Sequence, residues 1–173
     1  MRIVLLFSLC LLMCGCSGGI EVTSDYDQEA NFSRYKNFTW ISNVRKQQKP
    51  KIKNSLTNKH IKRAIQQSLM AKGLTYVDNK KADLIVTYYI SVQNKLDVST
   101  IRYGPWRRWG PRHKEVRRRR YKEGTLVIDF IDPRLKQVVW QGLGIGVISK
   151  TQNRAEHIQN AVSSILKKYP PKK

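Results

Sequence analysis

Two runs, Gly124-Thr125-Leu126-Val127-Ile128-Asp129-Phe130-Ile131-Asp132-Pro133 and Gln137-Val138-Val139-Trp140-Gln141-Gly142-Leu143-Gly144-Ile145-Gly146-Val147-Ile148-Ser149, decide the fold. The first is a continuous apolar strand whose Asp132-Pro133 opens a turn. The second returns as another strand, so the pair predicts a hairpin. In the returning strand Gly142, Gly144 and Gly146 share one face, and Leu143, Ile145 and Val147 share the other. A stripe without side chains permits close helix packing. These glycines do not form a phosphate cradle, because the spacing is GxGxG rather than GxGxxG and no helix begins at the third glycine.

Working outward, residues 82–97 alternate as a long strand in which Leu84, Val86, Tyr88, Ile90 and Val92 share a face. Shorter strands are expected at Glu21 to Tyr26, Lys36 to Ser42 and Leu74 to Val77. Asn43 to Lys53, with four Lys, one Arg, two Gln and Pro50, is expected as a polar loop. From Asn54 the spacing of Ile61, Ala64, Ile65, Ser68 and Leu69 predicts a helix that Gly73 stops, with Lys59, Lys62 and Arg63 pointing mostly outward. Asn153-x-x-Glu156 resembles a capping box at the head of a last helix carrying Ile158, Val162, Ile165 and Leu166, which Pro170 and Pro171 end. The expected class is α+β: one sheet, mostly antiparallel or mixed, with two amphipathic helices packed on it.

The amino terminus reads as a targeting segment. Met1 and Arg2 make a short positive start, Ile3 to Met13 is almost wholly apolar, and Gly15 is the small residue before Cys16. An apolar run of about 11 residues is too short to span a bilayer, which takes roughly 20. The stretch Leu12-Met13-Cys14-Gly15-Cys16 resembles the lipobox of bacterial lipoproteins, with Met13 in place of the usual Leu. That resemblance implies a signal peptide over residues 1–15, acyl chains such as palmitate on Cys16, a lipidated tether over 16–21 and a single domain over 22–171. Ser17, rather than Asp, follows the cysteine, which favours the outer membrane, facing the periplasm. Cys10 and Cys14 lie within the signal segment and lipid consumes Cys16, which leaves no disulfide and no thiolate metal site.

Charge is the second strong feature. The chain has 33 Lys and Arg against 12 Asp and Glu, a formal net charge of +21, and only Arg2 lies within the first 15 residues. Residues 30–77 hold eleven Lys or Arg and no acid. Such a field selects anionic partners. The basic density peaks at 98–122, which break the alternation and are expected as a basic, aromatic loop or hairpin excursion. Arg102, Arg107, Arg108, Arg112, Arg117, Arg118, Arg119 and Arg120 supply planar forks for phosphate, and Trp106 and Trp109 suit a membrane interface. A membrane-anchored protein would carry them beside anionic phospholipid or lipopolysaccharide. Nucleic acid is a poorer fit, since no recognised binding motif is present and the export signal argues against it.

No catalytic constellation stands out. His60, His113 and His157 are scattered, with no HExxH and no GxSxG. Asp83, Asp129 and Asp132 sit in or beside apolar strands, where each serves as readily as a strand-end cap or a cation's partner. No metal site and no cofactor are expected. The reading is a binding or scaffolding module without catalysis; the alternatives are an envelope hydrolase with a pocket between sheet and helices, and a basic nucleic-acid-binding protein.

Val22, Asp25-Tyr26-Asp27, Asn31-Phe32, Tyr35-x-x-Phe38-x-Trp40, Lys72-Gly73, Ala82-Asp83-Leu84-x-Val86, Gly124-Thr125-Leu126-x-Ile128-Asp129, Val139-Trp140-x-Gly142 and Tyr169-Pro170 occur in the order of a bacterial lipoprotein family. The chain resembles the domain of unknown function 4136 family over nearly all of its length after Cys16. The resemblance implies no established activity and no agreed catalytic residues. The segment 102–120 departs from it in being far richer in arginine.

Cys16→Ala is expected to block lipid transfer and leave the precursor unprocessed. Cells fed an alkyne palmitate should label the parent chain and not the variant; equal label on both would remove the lipoprotein reading.

Overall fold

Which side of the sheet a strand residue takes follows from alternation, and the two helices cover the more apolar side. The computed structural model describes residues 19–40, 55–78, 81–103, 113–148 and 153–171. Six strands, β1 (Glu21–Tyr26), β2 (Asn37–Trp40), β3 (Thr75–Tyr76), β4 (Leu84–Tyr103), β5 (His113–Asp132) and β6 (Gln137–Ile148), form one sheet in the order β1-β6-β5-β4-β2-β3. The pairs β1–β6, β6–β5 and β5–β4 are antiparallel, whereas β2 runs parallel to both β3 and β4. The sheet is therefore mixed, and the expected α+β class holds. Residues 1–16 and 43–53, for which the sequence predicts a signal segment, a lipidated cysteine and a polar loop, lie outside the described residues. Glu21, placed in the tether by the sequence, already pairs with Ile145 in the sheet.

Helix α1 (Ser55–Met70) buries Ile61, Ala64, Ile65 and Leu69, the expected stripe, and leaves Lys59, Lys62 and Arg63 exposed. Gly73 ends it at φ +88°, a conformation open to glycine without steric cost. Its N–H donates to the Met70 carbonyl, and the Leu74 N–H donates to that of Leu69, which ties off two terminal carbonyls. In helix α2 (Arg154–Leu166) Val162, Ile165 and Leu166 are fully buried, and the Asn153 side chain accepts from the Ala155 N–H at 3.1 Å. α1 and α2 pack on each other, and α2 also lies on β6 and β1.

The glycine stripe of β6 faces α2, as expected. A Cβ built on Gly142 would stand 2.5 Å from Ile165 Cγ2, and one on Gly144 would stand 2.8 Å from Ile165 Cδ1. Beside this contact sits an aromatic cluster. Phe130 and Trp140 stack at 4.8 Å between centroids, and Tyr169, just past α2, meets both edge-on at 4.6 and 5.4 Å. A bulge between Phe130 and Ile131 leaves β5 one residue short against β6, so the consecutive Val139 and Trp140 are both buried.

For 98–122 the structure shows the hairpin and not the loop, with flanking strands that the sequence ended too early at Asp97 and began too late at Gly124. Residues up to Tyr103 continue β4, those from His113 begin β5, and the two strands pair without interruption from Ile85–Ile131 to Tyr103–His113. The ladder needs only backbone groups. Val98, Thr100, Ile101, Tyr103, Val116 and Tyr121 favour extended chain, but with no helix among the described residues over either side of the hairpin the period-2 contrast that marks a strand disappears.

Gly142→Ala should therefore overpack the contact with Trp140 and Ile165 and destabilise by about 1–3 kcal/mol; Gly144→Ala should do the same, and there Ile165→Val in the same chain should restore part of the loss, because it removes the Cδ1 that Gly144 approaches. Thermal melts of these variants check this; a Gly142→Ala melt identical to the parent's would mean that α2 has room to move.

Candidate functional site: a basic arm beside a sheet–helix cavity

Beyond Asn94 and Lys122 the strands β4 and β5 pair, among the described residues, only with each other, since β6 reaches no further than Ile148 opposite Lys122 and β2 no further than Trp40 opposite Val86. Nine residues on each strand, at about 3.4 Å apiece, give a two-stranded arm roughly 31 Å long. A lone two-stranded ribbon is marginal in water. The arm begins on a six-stranded base, and on one side Lys95 and Glu123 form an ion pair at 3.5 Å.

Strand geometry divides the arginine run between two faces. Arg118 and Arg120 lie on the side that continues the helix-covered face, opposite Val98 and Leu96, and Val116 follows on the same side. Leu96, Val98 and Val116 are all more than half exposed, at 56, 54 and 52%. This face sets solvent-facing aliphatic side chains of β4 across from guanidinium groups of β5. Arg117 and Arg119 lie on the other face, opposite Ser99 and Asp97. Four arginines adjacent in sequence thus form two surfaces of different chemistry, which sequence reasoning had treated as one. Arg102 pairs with Lys114 near the tip. Trp106, Arg107, Arg108, Trp109 and Arg112 lie outside the described residues, as does Cys16.

At the base of the arm, on the same side as Arg118 and Arg120, a cavity of about 330 Å³ opens between the sheet and both helices. Ile61, Ile90, Leu126 and Ile158 form its apolar walls, and Gly124, Gly144 and Gly146 belong to its sheet side. Lys122, Arg154 and His157 bring nitrogen to its lining, and no carboxylate lines it. Composition could not reveal this cavity, because its walls come from five separate elements.

The carboxylates singled out in the sequence do not converge on the cavity. Asp83 accepts from the N–H groups of Lys36 and Asn37 at 2.9 and 3.2 Å and so caps the entry to β2, while Asn37 Oδ1 accepts from the Asp83 N–H at 2.9 Å. Asp129, on the face away from the helices, accepts from Gln141 Nε2 at 2.7 Å; burial raises its pKa and the Gln141 donor partly offsets that. Asp132 is fully buried at the β5–β6 turn. It accepts from the Tyr35 hydroxyl at 3.1 Å, from Arg134 Nη2 at 3.2 Å and from the Arg134 backbone N–H at 2.8 Å. Burial works to raise its pKa, but the donors from Arg134, Tyr35 and Leu135 outweigh burial and hold it below the ordinary carboxylate value. Burial, then the bond to Asp132, pushes the Tyr35 phenol up to about 12. These are structural caps. Among the described residues no group of three or more His, Cys, Asp or Glu comes together as a metal site, and no helix is long and apolar enough to cross a membrane.

The family model described as domain of unknown function (DUF4136) matches residues 22–171. No curated protein matches the chain. Among solved structures, a PDZ domain protein from Parabacteroides distasonis is similar at 16% identity and a TM-score of 0.59, over 88% of this chain and 36% of that one. This chain thus spans about a third of that protein. The PelC dodecamer from Paraburkholderia phytofirmans is similar at 10% identity and a TM-score of 0.52, over 86% of this chain and 95% of that one. At these identities the likeness is one of fold.

Because the pKa of Asp132 is lowered in the folded state, its contribution is complete above the unfolded value of about 3.9 and is lost as pH falls through the folded value. Asp132→Ala should cost about 2–3 kcal/mol near neutrality. Denaturant melts from pH 7 downward should show the gap between parent and variant narrowing once pH falls below the unfolded carboxyl value of about 3.9; curves that stay parallel would remove the carboxylate from this account.

Proposed function

We propose, for a chain that belongs to the DUF4136 family, a lipid-anchored, outer-membrane lipoprotein facing the periplasm, which binds or scaffolds anionic envelope components without catalysis. The observation that carries the reading is the arm face on which Leu96 and Val98 stand directly opposite Arg120 and Arg118, with Val116 on the same side. Guanidinium groups pair with phosphate through a planar fork, while aliphatic side chains in the same row enter the boundary between headgroup and acyl chain. A purely solvated hairpin tip has no need of such a row. Attachment then has two points: acyl chains on Cys16 hold the domain at the bilayer, and the arm engages anionic phospholipid or lipopolysaccharide. The tether supports this geometry, since the few residues between Cys16 and β1, at about 3.4 Å each when extended, keep the domain within roughly 20 Å of its anchor.

The face-specific arrangement gives a test that total charge does not. Arg118→Gln with Arg120→Gln should weaken binding of the unlipidated chain to phosphatidylglycerol vesicles by about 2 kcal/mol at low salt, roughly thirtyfold. Arg117→Gln with Arg119→Gln should cost less. Both losses should shrink as the Debye length falls toward about 8 Å at physiological ionic strength, whereas Leu96→Ser with Val98→Ser should cause a loss that persists in salt. Vesicle co-sedimentation at two salt concentrations reads all three. Identical losses for the two arginine pairs would reduce the arm to a diffuse cationic field, and no loss in either would remove it from the contact.

A further inference from the structure

We propose that the cavity between sheet and helices is a binding site for a single-chain anionic amphiphile, its acyl tail among the apolar walls and its headgroup held by Lys122 and Arg154. Three observations carry this beyond the arm's contact with a membrane surface. First, the volume of about 330 Å³ lies at the small end of ligand sites, which run from about 300 to 1,000 Å³, and fits one narrow apolar chain rather than a folded or ring-rich ligand. Second, the polar lining is one-signed. Lys122 and Arg154 are both exposed while lining the cavity, so their charges stand at its mouth, and no carboxylate opposes them. A cationic or zwitterionic head would meet uncompensated repulsion there.

Third, the cavity continues the amphipathic arm. Lys122, Arg120 and Arg118 follow one another on one side of β5, and Val92, Leu96 and Val98 lie on the same side of β4. Apolar and cationic side chains therefore run from the arm to the cavity mouth, a path along which an amphiphile keeps its tail and head matched. Ile20 also lines the cavity, so the chain emerges beside it on the way to Cys16. This site does not require Cys16 to be acylated.

Isoleucines packed over two of the glycines bound the space. A Cβ on Gly144 would meet Ile165, and one on Gly124 would meet Ile148 Cδ1 at 2.9 Å. Val92 stands directly opposite Gly124 in the β4–β5 ladder. A large ring at position 92 can lie over that glycine and fill the cavity from its mouth.

The test uses the chain from residue 17 onward, which contains every strand, helix and buried residue described. Laurate, as sodium salt below its micellar concentration, is titrated calorimetrically beside dodecyltrimethylammonium, which has an equally long tail and the opposite charge. Laurate should bind and the cationic probe should bind far more weakly. Val92→Trp should weaken laurate binding by roughly tenfold or more while keeping a cooperative melt. Lys122→Gln with Arg154→Gln should also weaken it roughly tenfold, narrowing the gap between the two probes. Arg118→Gln with Arg120→Gln, which lie outside the cavity, should leave laurate binding intact, so failure of the membrane-contact reading and failure of this one are separable. Equal binding of both probes, undiminished binding by a folded Val92→Trp chain, or no laurate binding at all would each overturn the proposal.

Discussion

The architecture depends on how closely α2 approaches β6. Ile165 sits where Gly142 and Gly144 have no side chains, so helix and strand backbones come nearer than two ordinary surfaces allow. That contact fixes the height of the whole helical layer, because α1 packs on α2. It also places Tyr169, one turn beyond Ile165, against Phe130 and Trp140. Where the stripe continues to Gly146, opposite Gly124, the helices no longer fill the space above it, and the cavity opens. One run of glycines thus produces tight packing at one end and a void at the other.

The residues on which the resemblance to the family was read belong to the packing. Phe38, Tyr35, Trp140 and Tyr169 are buried, Phe32 bridges Tyr26, Tyr35 and Tyr169 edge-on, and Gly142 admits Ile165. Asp83 and Asp132 satisfy backbone donors at a strand entry and a turn, as buried polar groups must. Motifs of this kind identify a fold and leave its chemistry open. The features that point to chemistry in this chain, the arginine-rich arm and the cations at the cavity mouth, lie outside or at the margins of those motifs.

Some expectations were legible because a local rule governs them. The α1 stripe follows from period 3.6, Gly73 from the left-handed conformation at a helix end, and the β5–β6 hairpin from the Asp132-Pro133 turn. The arm was legible as a hairpin excursion but not in its strand bounds, for an equally local reason: strand recognition rests on a contrast between a wet and a dry face, and there the contrast fades while the ladder continues. Pairing is a long-range backbone property, so the extension of β4 to Tyr103 is visible only when β5 lies beside it.

The sequence by itself determined the class of fold, the two amphipathic helices, the glycine stripe and the large positive charge, since each is set by residue type and spacing along the chain. Tertiary structure alone decided that β2 runs parallel to β4, that Arg118 and Arg120 share a face with Leu96 and Val98 while Arg117 and Arg119 do not, and that Lys122 and Arg154 meet at one cavity. The physical reason is separation along the chain. Lys122 and Arg154 belong to different elements, and only the packing of α2 onto the glycine face of β6 brings those elements together.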